Sequence, residues 1–230
     1  MARNLERAKV LFFGQAGHVH SEEAAAYLTS LNFDVEIVRS AQRGDTLPPS
    51  VRLWAGDYIL SFRNYYILPP QIIRRARCGA INFHPGPPEY PGTGSCNWAL
   101  YDEQKEFGVT AHLMNADVDA GPILEVVRFP ICDCDLSSVI LTAQEYSLAL
   151  FKKITEDIDK KGITAVSDRA SKNVSLKWSG AARRASELDA MQFIRADITE
   201  SELKRRVRAF HRVDYPLFTE ICGKRFFYKG

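Results

Sequence analysis

Residues 81–94 read Ile-Asn-Phe-His-Pro-Gly-Pro-Pro-Glu-Tyr-Pro-Gly-Thr-Gly, and they force one strand to a sharp end. A short apolar run, Gly79 to Phe83, enters a stretch where seven of the ten residues from Pro85 to Gly94 are proline or glycine. Proline fixes φ and has no N–H, so the strand must stop here and the chain must turn. Asn82 and His84 lie two apart, and strand alternation points both side chains to one face. An amide and an imidazole therefore leave together from the carboxyl end of a strand. In open α/β sheets, that edge is where ligands bind.

The rest of the chain supplies the sheet. Lys9 to Phe13 reads as a buried strand, followed by Gly14-Gln-Ala-Gly17. That segment carries neither dinucleotide nor Walker spacing. Ser21 is expected to cap a helix whose first turn holds Glu22 and Glu23, with Ala24 to Leu31 continuing it. Strands are predicted at Asp34 to Val38 and Asp57 to Ser61, and a short helix opens at Pro69-Pro70. A helix from Gly94 to Tyr101, strands over Phe107 to Met114 and Ile123 to Phe129, and an amphipathic helix from Leu136 to Lys160 ending at Gly162 complete the pattern. This alternation predicts an α/β fold with a Rossmann-like, mostly parallel sheet.

Past residue 180 the character changes. Ala181-Ala-Arg-Arg-Ala185 reads as a linker, and Thr199-Glu-Ser-Glu202 as a capping box that opens a helix to about Phe210. Leu217 to Ile221 and Arg225 to Lys229 form a terminal β-hairpin across Cys222-Gly223-Lys224. The expected division is a catalytic domain over 1–180 and a helix-plus-hairpin segment over 181–230. A lone hairpin is marginal in water, so this one must pack on the main domain or on a second subunit. A homodimer is expected.

A second informative segment is Val109-Thr-Ala-His-Leu-Met-Asn-Ala-Asp-Val-Asp-Ala-Gly-Pro-Ile123. It reads as a strand carrying Thr110 and His112, a tight acidic loop from Asp117 to Gly121, and a further strand. A lone strand-end histidine is more often structural than catalytic. With Asn82 beside it and an acidic loop downstream, the set has a chemical use. Asparagine can donate to a developing oxyanion, histidine can move a proton near neutral pH, and aspartate can hold the imidazole's tautomer and raise its pKa.

Three blocks, Asn82-Phe-His84-Pro85, Gly108-Val-Thr110-Ala-His112 and Asp119-Ala-Gly121-Pro-Ile123, together resemble the folate-dependent formyltransferase family. The resemblance implies catalytic roles for Asn82, His84 and Asp119, with Thr110 and His112 supporting them. It implies 10-formyltetrahydrofolate as donor, a primary amine as acceptor, and no metal. It places the folate pocket at Phe62, Tyr65 and Ile67, within Ser61 to Pro69, and at Asp117 and Val118. The Pro85-Gly-Pro-Pro-Glu-Tyr-Pro-Gly92 loop is most similar to the nucleotide-sugar N-formyltransferases of surface-polysaccharide pathways. A dTDP-, GDP- or UDP-linked amino-dideoxy sugar is then the expected acceptor, with Tyr90 and Trp98 as candidate contacts. The methionyl-tRNA members of the family carry a further basic domain, for which only about 50 residues remain past residue 180. The alternatives are another small amine, such as glycinamide ribonucleotide, or a folate- or nucleotide-binding protein without the chemistry.

Composition narrows the setting. A net charge of +2 does not argue for a nucleic-acid surface. The basic cluster Lys204-Arg-Arg-Val-Arg208 reads as a solvated helix face. No apolar run approaches the roughly 18 to 20 residues of a membrane span. The charged start, Met1 to Lys9, has no signal-peptide core, so a cytoplasmic protein is expected. Five cysteines, an odd number without metal-site spacing, fit reduced thiols.

Overall fold

The computed structural model describes residues 7–229. Most of the N-terminal stretch read for a signal core, residues 1–6, lies outside them. Six strands form the main sheet: β1 (Ala8–Gln15), β2 (Phe33–Ser40), β3 (Gly56–Phe62), β4 (Ala76–His84), β5 (Glu106–Leu113) and β6 (Ile123–Pro130). Their order is β2-β1-β3-β4-β5-β6. The β2-β1-β3-β4 part is parallel, whereas β5 runs antiparallel to both β4 and β6.

Alternation sorts the strands between two cores. Val10, Phe12, Tyr58, Leu60, Phe62, Ile81 and Phe83 join the larger cluster on one face of the sheet. Leu11, Phe13, Ile59 and Ala80 join the smaller one, with Val51, Trp54 and Ile72. The larger face is covered by α1 (Val19–Ser30), α4 (Leu136–Lys161) and α5 (Ile163–Lys172). Phe151 of α4 meets the rings of Phe12, Phe62 and Phe83 edge-on at 5.7, 5.4 and 4.9 Å. Such pairs add about 0.5–1.5 kcal/mol each beyond area burial.

One sequence expectation is corrected here. Ser21 lies inside α1, and residue 18, not 21, occupies the cap position. The Ser21 hydroxyl instead accepts from the Gln15 N–H at 2.8 Å, tying the helix to the end of β1. Gly162 ends α4 at its C-cap as expected, with φ +61°, and α5, which sequence reading did not foresee, follows directly and buries Ala165 and Val166.

Beyond residue 172, the chain crosses back over the sheet edge to α6 (Ala185–Ala190) and α7 (Glu200–Phe210). The expected linker at 181–185 thus leads into a short helix. Thr199 caps α7 by accepting from Glu202 N, while the Glu202 carboxylate pairs with Arg206 and accepts from the Tyr101 hydroxyl. α7 packs on α3 (Ser95–Tyr101), with Phe210 edge-on to Trp98 and Asn97 donating to the Ala209 carbonyl. The hairpin forms as β7 (Phe218–Ile221) and β8 (Lys224–Phe227). Cys222 and Gly223 both have positive φ, as a two-residue turn of the hairpin-favouring type requires. Among the described residues, no helix is long and apolar enough to cross a membrane.

Candidate active site

The parallel-to-antiparallel change at β4 brings three polar residues into one row. In the strand register, Ser61 of β3 lies opposite Asn82, and Asn82 lies opposite His112 of β5. The Asn82 carbonyl accepts from Ser61 Oγ at 2.8 Å, and Ser61 Oγ in turn accepts from Asn64 Nδ2. Asn82 Nδ2 lies 3.2 Å from His112 Nε2 and 3.4 Å from Asp119 Oδ1. His112 Nδ1–H donates to the Leu113 carbonyl at 2.9 Å, which fixes the ring. The amide is therefore oriented from both sides.

Asp119 comes from the loop between β5 and β6 and is buried, at 7% exposure. Its Oδ2 lies 3.1 Å from His84 Nδ1 and accepts from Gly92 N at 2.8 Å. Its Oδ1 lies 3.2 Å from His112 Nε2. The loop reaches this depth because Gly121 presses on β5, where a Cβ would meet the Leu113 carbonyl oxygen at 1.8 Å. Asp119 itself has φ +47°, a left-handed backbone that aspartate tolerates better than most residues.

Both nitrogens of His84 face acceptors, Asp119 through Nδ1 and the Tyr90 carbonyl through Nε2 at 3.0 Å. Burial disfavours the charged ring. The Asp119 charge, its hydrogen bond and the Tyr90 carbonyl outweigh that, so the His84 pKa is raised. Burial likewise pushes Asp119 up, but His84 and His112 hold its carboxyl far below the usual carboxylate range. The arrangement is a histidine–carboxylate pair at a strand end in which each group favours the charged form of the other.

The Pro/Gly loop is held by main-chain anchors. Thr110 Oγ1 donates to the Gly86 carbonyl at 2.8 Å, and Ser95 Oγ donates to the Pro85 carbonyl at 3.0 Å. A strap, residues 178–184, crosses this loop. Ser179 N donates to Pro88 O, Arg183 N to Pro91 O, and Thr93 N to Arg183 O. It carries Trp178, whose ring lies edge-on to His84 at 5.6 Å and to His112 at 4.9 Å, with Nε1–H donating to the Gly121 carbonyl. Sequence reading missed Trp178, because Lys177-Trp-Ser-Gly180 carries no signal of its own. Beside the strap lies a cleft of about 430 Å³ lined by Glu89, Pro91, Arg183, Arg184 and Glu187.

The structure brings Asn82, His84, Asp119, Thr110 and His112 together, and it separates other candidates. Phe62, expected on the folate wall, is fully buried in the core. Alternation along β3 sends it to the helix-covered face with Leu60, opposite Ser61. Trp98, expected as a substrate contact, packs among Tyr101 and Phe210 with the Arg183 guanidinium over its ring at 4.0 Å. The Tyr90 hydroxyl donates to Asp102, and this residue meets the site through its backbone carbonyl. Tyr65, Ile67 and Val118 are exposed, Ile67 at 80%, on two loops that join Asn82 through Asn64–Ser61 and through Asp119. Asp117 is exposed, and its N–H closes a turn onto Asn115 Oδ1. Among the described residues, no three His, Cys, Asp or Glu side chains are arranged to hold a metal ion.

Residues 12–146 match the family model described as formyl transferase. The chain belongs to the formyl transferase family. The matched span contains Asn82, His84, Thr110, His112 and Asp119. A methionyl-tRNA formyltransferase of Bacteroides thetaiotaomicron is 31% identical over 94 residues, 40% of this chain and 28% of that relative. The matched stretch thus spans under a third of the relative's length. A sugar N-formyltransferase from a Shewanella species superimposes over 96% of both chains, with a TM-score of 0.70 at 19% identity. The N-formyltransferase of Helicobacter canadensis, solved with folinic acid and dTDP-3-aminofucose, matches over 94% of this chain and 85% of its own, with a TM-score of 0.66 at 16% identity. Both likenesses confirm the formyl transferase fold.

Proposed function

We propose that this formyl transferase moves the formyl group of 10-formyltetrahydrofolate to the primary amine of a nucleotide-linked amino-dideoxy sugar. The observation that carries the transfer chemistry is the buried Asn82–His84–Asp119 arrangement at the carboxyl end of β4. The sugar reading is supported by the Pro85–Gly92 loop pattern. Likeness along nearly the whole chain to sugar N-formyltransferases also supports it. Tyr65, Ile67 and Val118 suit the flat folate ring, being apolar side chains exposed on loops that converge on Asn82.

The neutral amine adds to the formyl carbon, and the C–N bond to the folate then breaks. As negative charge grows on the formyl oxygen, the Asn82 amide and the His84 Nε2–H donate to it, the latter turning from the Tyr90 carbonyl. Losing one such donor costs about 3–4 kcal/mol of barrier. Asp119 keeps His84 protonated and oriented. The proton that leaves the amine passes to the folate nitrogen, with His84 as the nearest relay. Trp178 keeps bulk water off both rings.

The exposed Ile221, Phe226, Phe227 and Tyr228 of the hairpin support a homodimer through the C-terminal segment, and a cytoplasmic setting completes the reading. The test is incubation with 10-formyltetrahydrofolate and a panel of dTDP-, GDP- and UDP-linked amino sugars, with glycinamide ribonucleotide and methionyl-tRNA alongside. Mass gain of one formyl group on a nucleotide sugar is expected. Turnover confined to either of the other acceptors would replace the sugar reading.

A further inference from the structure

Arg63 directly follows β3, at the ligand-binding edge of the sheet, and it holds an unusual position. Its φ is +50°, a conformation that an ordinary side chain adopts only when its surroundings impose it. Its Nε is enclosed and has no hydrogen-bond partner among the described residues. No carboxylate of the described residues lies within ion-pair distance of it, and among the described arginines it alone has an enclosed side-chain nitrogen without a hydrogen-bond partner. Guanidinium groups are rarely left buried and unpaired.

Two further polar atoms nearby also lack partners, His18 Nδ1 and Asn64 Oδ1. His18 precedes α1, and burial, Arg63 and His20 hold its pKa down to about 4. Asn64 is the first link in the chain through Ser61 to Asn82. The charge of Arg63 also reaches Cys96, next to the Ser95 that anchors Pro85. Arg63 thus stands beside the polar chain that leads to Asn82, and no carboxylate of the described residues pairs with its charge.

We infer that Arg63, with His18 beside it, binds an oxyanion of the ligand that occupies the active-site crevice. Two sources carry that chemistry: a diphosphate on the acceptor and the glutamate carboxylates of the folate. The inference rests on the formyl-transfer reading only for these two names, since the unpaired guanidinium calls for an anion under any chemistry.

The experiment uses Arg63→Leu, which keeps volume and removes charge, and Arg63→Lys. Calorimetric titration with inorganic pyrophosphate, a nucleoside diphosphate, 5-formyltetrahydrofolate and its pteroate analogue without glutamate separates the sources. Arg63→Leu should weaken binding of one anionic class by about tenfold or more, the scale of a lost charge-assisted contact, and Arg63→Lys should weaken it less. A loss confined to the phosphates assigns the acceptor side; a loss confined to the glutamate-bearing folate assigns the donor side. The melting temperature of unliganded Arg63→Leu should rise, because a half-buried unpaired charge has been removed. Unchanged affinity for all four probes, or a fall in melting temperature with no change in binding, overturns the inference. The formyl-transfer reading stands or falls separately on the acceptor panel.

Discussion

At Asp119, one carboxylate serves two histidines, a backbone amide and the amide of Asn82, on a backbone that favours glycine. The strained φ, on the order of 1 kcal/mol, is offset by those contacts. His84→Ala and Asp119→Ala are each expected to slow formyl transfer by about two orders of magnitude or more, while folate affinity changes little. Steady-state assays with a turned-over amine check this, and near wild-type rates in either variant would remove these residues from the chemistry. Asp119→Asn keeps a side chain that tolerates the left-handed backbone, removes the charge and turns one acceptor oxygen into a donor. The His84 pKa should then fall, and an NMR titration of the imidazole reads it. The linkage has a definite sign. The raised His84 contributes stability that is full below its unfolded pKa near 6.5 and is lost as pH rises through its higher native value. The depressed Asp119 contributes above about pH 3.9 and loses it only as pH falls toward its lower native value. The pair therefore stabilises most between about pH 4 and 6.5. Urea midpoints of Asp119→Asn should trail the wild type more at pH 5.5 than at pH 9.

At the scale of elements, the strap and the Pro/Gly loop form a single device. Gly92 has φ +86°, and a Cβ there would stand 2.4 Å from the Arg183 backbone N and O. Gly92→Ala is expected to cost more than about 2 kcal/mol, since strain and clash act together. It should also free residues 178–184 for limited proteolysis. A variant as stable and protease-resistant as the wild type would show that the loop and strap are not coupled. This coupling was invisible in the sequence, because main-chain pairing between residues about 90 apart leaves no local pattern. What was legible was local. The proline run stopped β4, alternation put Asn82 and His84 on one face, and the family resemblance singled out Asp119, two residues before Gly121. Phe62 failed by the same alternation, applied one residue away from Ser61. α5 was missed because Gly162 ends α4 as read, but a second helix starts immediately after it.

At the scale of the molecule, a mostly parallel sheet was readable from strand–helix alternation, whereas the strand order and the antiparallel course of β5 were not. The fate of the last 50 residues depends on contacts that sequence does not display. Leu217 is fully buried, and the backbone of Phe218 pairs with Gln192 and Ile194. β8, by contrast, carries Phe226 and Phe227 on its opposite faces, each more than half exposed. If this hairpin joins two subunits, the double variant Phe226→Ser/Phe227→Ser should be a soluble monomer by light scattering. A variant that remains a dimer would place the subunit contact elsewhere.

The strap that carries Trp178 is fastened to the Pro/Gly loop by peptide groups at Ser179 and Arg183, beside the Trp178 indole bond to Gly121 and the Arg183 guanidinium over Trp98. The peptide part of this clasp is indifferent to the side chains at Ser179 and Ala181, so those positions are free to drift while the enclosure of the histidines persists. Selectivity for one acceptor over another can then be retuned on the strap without renegotiating catalysis. Larger residues at Ser179 and Ala181, both exposed, should shift the KM for the acceptor while kcat and the melting temperature stay near their original values.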